Sequence, residues 1–213
     1  MFEKQNITSE AGRLNTTQTR KELERARRKQ LILQGAIGVF NTSGIEKATM
    51  DQIAKEAGFG KATLYYYFSS KEEIFNSILL EGWRELWTGI EKVTLGTSGP
   101  RRTFIRILKN IAERVNANRP LYEFLFFAPR AASSEQLAAG NWKTYQDRLY
   151  NVLYELIESG IKENKFPQMD PRLVMKALGG LFHGMLFLGA DRNSISETEI
   201  EEMLDNLLRK KKG

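Results

Sequence analysis

Cysteine is absent from this 213-residue chain, and histidine occurs once, as His183. The first absence excludes disulfides, thiolate metal sites and thiolate nucleophiles, and it suits a reducing cytoplasm. A single histidine also excludes His-rich metal centres and Cys–His dyads, so no metal ligand, cofactor or catalytic residue is assigned. Long apolar runs are missing too. The most apolar stretch, Ala177 to Ala190, has 14 residues and is interrupted by His183, whereas a membrane span takes about 20. Gly58-Phe59-Gly60-Lys61-Ala62-Thr63 has a superficial likeness to a phosphate loop. However, Lys55 stands where a P-loop needs its first glycine, Ala62 where it needs Ser or Thr, and Thr63 where GxGxxG needs its third glycine. The pairs Glu72-Glu73 and Glu201-Glu202 fall at cap and surface positions. Neither an enzyme nor a membrane protein is expected.

What the chain does have is positive charge and helical periodicity. A net charge of +6 favours an acidic partner, and its distribution matters more than its size. Arg20, Lys21, Arg25, Arg27, Arg28 and Lys29 gather at the start of the first helical pattern, against Glu22 and Glu24. Such a cluster can follow a nucleic-acid backbone, reach into a minor groove, or simply face solvent. Arg209 to Lys212 suits the dipole of a closing helix. Residues 1–19 are polar throughout and read as a flexible arm rather than a leader.

Residues 49 to 71 carry most of the functional signal. Two short helical patterns are separated by Gly58-Phe59-Gly60, the layout of a helix-turn-helix. Thr49 and Gln52 form a capping box, Ile53, Ala54 and Ala57 line one apolar face, and Gly58 ends the helix. In the second pattern Leu64 and Phe68 point inward together, leaving the hydroxyls of Thr63, Tyr65, Tyr66 and Tyr67 able to reach outward between Lys61 and Lys71. Hydroxyls and aromatic rings between lysines suit phosphates and base edges. The rings of Tyr65 or Tyr67 can instead belong to the small core, with only the hydroxyl exposed. Ser69 with Glu72 reads as the cap of the next helix.

From Arg25 to Leu79 these residues resemble the DNA-binding domain of the TetR family of bacterial transcriptional repressors: Ala36-Ile37-Gly38-Val39-Phe40, Gly44, Thr49 to Gly58, then Lys61-Ala62-Thr63-Leu64-Tyr65-Tyr66-Tyr67-Phe68 and Lys71-Glu72. The resemblance implies that Thr63, Tyr65 and Tyr66 contact bases or nearby phosphates, and that Thr49, Tyr67 and Lys71 hold the DNA backbone, with Lys61 a further candidate. Some members carry a basic base-reading residue where this chain has Asp51, so no contact is expected there. A palindromic double-stranded operator, a homodimer and a small hydrophobic effector are the partners it implies.

Every later segment also reads as helix: Lys71 to about Leu95, Arg101 to Asn118, Leu121 to Phe127 closed by Pro129, Ser134 to about Asn164, Asp170-capped Pro171 to about Ala190, and Ser196-capped residues to about Arg209. The fold class is therefore all-α with about nine helices. The expected domains are a helix-turn-helix domain at 20–70 and a helical ligand-binding and dimerisation domain at 71–213. Aromatic and apolar residues of that body, Trp83, Phe104, Leu108, Phe126, Trp142, Tyr145, Phe182 and His183, are candidates for a ligand cavity or for ordinary core. Glycines in the apolar helix cost about 1 kcal/mol each relative to alanine, which suggests a close helix approach. In TetR-like proteins the last two long helices pair with their copies. Gly180, Gly184, Phe187, Ile200, Leu204 and Leu207 are the interface candidates, with packing inside the chain as the alternative.

Overall fold

A computed structural model of the protein describes residues 4–96, 99–131, 140–188 and 195–207, with the side chains of residues 4–18, 130, 131 and 207 excepted. Among the described residues all regular structure is helical: α1 (Lys4–Lys47), α2 (Met50–Glu56), α3 (Lys61–Tyr67), α4 (Lys71–Thr94), α5 (Pro100–Ala117), α6 (Arg119–Ala131), α7 (Lys143–Lys162), α8 (Pro171–Phe187) and α9 (Glu197–Leu207). None of these helices is long and apolar enough to cross a membrane. The chain forms two compact units, Met1–Phe75 and Asn76–Gly213, so the boundary falls inside α4. Where a flexible arm is expected over 1–19, residues 4–19 are helical and belong to α1. The basic cluster at Arg209 to Lys212 lies outside the described residues.

The first unit is built on a short apolar stripe of α1. Ile32, Leu33, Ala36, Ile37 and Phe40 are buried, as are Ile53 and Ala54 of α2, Leu64 of α3, and Phe68, Ile74 and Phe75. Phe40 meets Phe75 edge-on at 6.0 Å. Helix α2 lies so close to α1 that a Cβ on Gly35 would stand 2.8 Å from the Ala57 amide nitrogen. Thr49 and Gln52 form the expected box: the Thr49 hydroxyl accepts from the Gln52 amide at 3.3 Å, and Gln52 Oε1 accepts from the Thr49 amide at 2.9 Å. Gly58 ends α2 with φ 73°, which a side chain disfavours. There the Phe59 amide reaches Ala54 O at 2.9 Å and the Gly58 amide reaches Lys55 O at 3.2 Å, a Schellman pair. The cap of α4 differs from the expected Ser69–Glu72 by one residue. Ser70 accepts from the Glu73 amide at 3.2 Å, while Glu73 Oε2 accepts from the Ser69 amide at 2.7 Å. The extended backbone at Phe68 (φ −142°) uses up one residue before the turn can begin.

In the second unit α5 is the central helix. Its buried residues include Phe104, Ile105, Ile107, Leu108, Ile111 and Val115, and it packs against α6, α7, α8 and α9. Two helices depart from expectation. Helix α6 runs through Pro129 to Ala131, because a proline so near the end removes only one late backbone bond. Helix α7 starts at Lys143 rather than Ser134. Gly140 packs its backbone so tightly against Trp142 that any Cβ there would collide with the indole, and the chain turns at this point. Residues 132–139 of the expected helix lie outside the described residues. The caps of the last two helices are as expected: Asp170 accepts from the Arg172 amide at 2.8 Å, and Ser196 and Glu199 bond reciprocally at 2.7 and 3.2 Å.

Candidate nucleic-acid interface and effector cavity

Helix α3 turns two residues inward and the rest outward. Leu64 is fully buried and Phe68 nearly so, whereas Tyr66 is 70% and Tyr65 48% exposed. Thr63 and Tyr67 are half-buried. The Tyr67 ring meets Tyr66 edge-on at 5.2 Å, so Tyr67 supports its neighbour as well as facing outward. Lys61 is exposed, and its Nζ lies 2.8 Å from Asp51. The hydrogen bond that it donates to Asp51, with the charge of that carboxylate, holds the Lys61 ammonium above its ordinary pKa. Asp51, which the sequence left without a role, thus holds one of the cationic candidates. Thr49 spends its hydroxyl on the α2 cap. Lys71 donates to Glu46 O at 2.8 Å and Ala48 O at 3.0 Å, tying the carbonyl end of α1 to the start of α4. An ammonium has three protons, so one is left for another acceptor.

The same unit has a feature that no sequence pattern places: an open cleft of about 470 Å³ lined by Arg20, Lys21, Glu24, Arg25, Arg28, Tyr66 and Tyr67. The charge cluster is plain in the sequence, but its position opposite the tyrosines is not. The Arg25 guanidinium stands 5.9 Å from the Tyr66 ring centre. Arg28 Nε bonds Glu24 Oε1 at 2.9 Å, and this bond, helped by the charges of Arg28, Arg27 and Arg20, holds the Glu24 carboxyl below its usual range.

The second unit contains a cavity of about 430 Å³ bounded by α5, α6, α7 and α8. Five of the eight candidates line it: Phe104, Leu108, Phe126, Phe182 and His183. Trp83, Trp142 and Tyr145 do not. Trp83 is buried with its ring edge-on to Phe126 at 5.4 Å, and Trp142 is buried beside Gly140. Leu149, Tyr150, Leu153 and Lys176 complete walls that the helical period alone could not separate from core. Of the interface candidates, Gly180 and Phe187 border this cavity. Ile200 and Leu204 are buried within their own chain, at 0% and 2% exposure, on α9 which packs against α5. Among the described residues, a Cβ on Gly180 or Gly184 would meet nothing within 4 Å. The Leu207 side chain lies outside the described residues.

Residues 32–78 match the family described as bacterial regulatory proteins, tetR family. Its DNA-binding domain is that of the TetR family. Among its relatives is the HTH-type transcriptional regulator YfiR of Bacillus subtilis, 26% identical over 185 residues, covering 80% of this chain and 85% of that protein. A TetR-like transcriptional regulator from Rhodococcus sp. RHA1 superposes with a TM-score of 0.65 at 25% identity, covering 84% of this chain and 92% of that one. The transcriptional regulator FadR from Bacillus subtilis, in complex with stearoyl-CoA, shares the fold at 18% identity, with a TM-score of 0.65 and coverage of 82% and 96%. The chain is a DNA-binding transcriptional regulator, not an enzyme.

Proposed function

We propose that the protein is a cytoplasmic homodimeric repressor that binds a palindromic operator and is released by a small hydrophobic effector. The observation that carries the reading is α3, whose apolar residues are buried while Thr63, Tyr65 and Tyr66 face outward for base and phosphate contact. Thr49, Lys61, Tyr67 and the third proton of Lys71 serve the backbone. In this reading residues 20–70 form the reader, preceded by residues 1–19, and residues 71–213 form the effector-binding and dimerisation body.

A short recognition helix reads few base pairs, so selectivity requires a second copy on a two-fold axis. Support for the pairing surface comes from α8. Leu173, Leu181 and Met185 are exposed along it, and Leu188 is exposed just past its end. Among the described residues, a Cβ at Gly179, Gly180 or Gly184 would meet no atom within 4 Å. Glycines kept in a helix at about 1 kcal/mol each, with no intrachain neighbour to accommodate, fit the close approach of a partner helix. The cavity fits an apolar effector, since its volume lies in the range of small-molecule sites and its walls are mainly aromatic and aliphatic. Helix α4 belongs to both units, so a shift imposed on its body half has a covalent path to the Lys71 fastening.

Genomic-fragment selection with the purified dimer tests the reading. Recovered fragments should share an inverted repeat, and fragments with no common sequence would sink the operator claim. Native mass spectrometry of the same preparation should reveal a co-purified apolar ligand. Filling the cavity with Leu108→Trp should abolish ligand binding and leave operator binding in place.

A further inference from the structure

The cleft between α1 and α3 holds four cations, Arg20, Lys21, Arg25 and Arg28, and one carboxylate, Glu24. Counting those five groups gives four minus one, or +3, and the carboxylate is already engaged by Arg28 at 2.9 Å. Lys21, Arg25 and Arg28 follow the i, i+4, i+7 spacing that puts them on one face of α1. Opposite them are the phenol groups of Tyr66 and Tyr67. Every α1 residue of the cleft is exposed, so a macromolecule can reach it. Guanidinium forks with hydroxyl donors beside them are the recognition chemistry of phosphate oxygens.

We propose that this cleft seats the phosphates of the duplex beside the bases that α3 reads, making the Arg20 to Arg28 stretch of α1 a backbone clamp. The proposal rests on the operator reading above, because α3 fixes where the duplex lies. Arg25 is the central residue. Its guanidinium over the Tyr66 ring is held by the ring's negative face, which aims its outer edge at a phosphate neighbouring the base step under Tyr66. Arg28 is a positioning residue, because its bond to Glu24 neutralises the one group that repels phosphate.

The test is the salt dependence of binding by the full-length dimer to a selected duplex and to a scrambled duplex. Each phosphate contact contributes about 0.9 to the slope of log affinity against log salt, so Arg25→Gln in both protomers should flatten it by about two. Over a fourfold rise in salt the gap to wild type should close roughly twelvefold, equally on both duplexes. Arg25→Lys should restore the slope, and Lys92→Gln, at an exposed cation that does not line the cleft, should leave it alone. An unchanged slope for Arg25→Gln overturns the proposal, as does an altered base preference at constant slope. If wild type binds both duplexes equally the operator reading fails, yet the slope of Arg25→Gln still judges the clamp.

Discussion

Two glycines three residues apart on α1 should respond to alanine in opposite directions. At either site alanine gains about 1 kcal/mol of helix propensity. At Gly38 the new Cβ would meet only Glu56 Oε1 at 3.8 Å and Cγ at 4.0 Å, which is ordinary contact, so the propensity gain should survive. At Gly35 it would meet Ala57 N, Cα and Cβ at 2.8, 2.9 and 3.0 Å. Those atoms belong to the α2 backbone and its shortest side chain, and cannot swing aside. Overpacking of this kind costs about 1–3 kcal/mol, toward the upper end when backbone must shift, so Gly35→Ala should lose roughly 1–2 kcal/mol net. Denaturant titration followed by circular dichroism measures both variants, and hydrogen exchange locates the loss in α2. Gly35→Ala should also weaken operator binding, because α2 sets the position of α3. A Gly35→Ala protein as stable as wild type, or a destabilised Gly38→Ala, would refute the account of how α2 is seated.

Three further outcomes follow. Gly184→Leu places a branched side chain where its own chain leaves room, so sedimentation should give folded monomers; an intact dimer would move the interface elsewhere. Lys71→Met removes two charge-assisted bonds to the Glu46 and Ala48 carbonyls and should cost about 1–2 kcal/mol in the first unit, seen as earlier denaturant unfolding. Unaltered unfolding would mean that the fastening contributes nothing. Glu199 has its carboxyl held below the ordinary glutamate range by hydrogen bonds from the Ser196 amide and hydroxyl. Its capping contribution is therefore present above the unfolded pKa and lost as pH falls through the folded one. A carbon-detected titration should find Glu199 below the exposed glutamates, and Ser196→Ala should return it to the common value.

The parts legible from sequence are those fixed by local chemistry. Thr49 with Gln52, Asp170 with Pro171 and Ser196 with Glu199 announce helix starts through hydrogen bonds made within one turn. Gly58 announces an end because its φ of 73° excludes most side chains. The misses arise where local chemistry permits more than one register or where distant residues meet. Serine repeats at 69 and 70 and glutamate at 72 and 73, so local chemistry permits two registers, and the extended Phe68 selects the later one. Helix α7 starts late, after a turn at Asn141 and Trp142. Periodicity marks Phe104, Trp83 and Trp142 equally as apolar, and only the arrangement of α5 to α8 puts the first at a cavity and the others in the core. Lys71 shows the same limit. The resemblance implies that it holds the DNA backbone, and the fold also brings the carbonyl end of α1 to its ammonium.

The claim that α3 reads bases as one half of a two-fold reader is tested most directly by titrating a selected operator against its isolated half-site, with fluorescence anisotropy for affinity and sedimentation for stoichiometry. Two protomers should bind the full inverted repeat. The half-site should bind far more weakly, and Tyr66→Ala should erase the preference for operator over scrambled duplex while leaving the salt-sensitive background. Equal affinity for operator, half-site and scrambled duplex, or a preference untouched by Tyr66→Ala, would contradict the account.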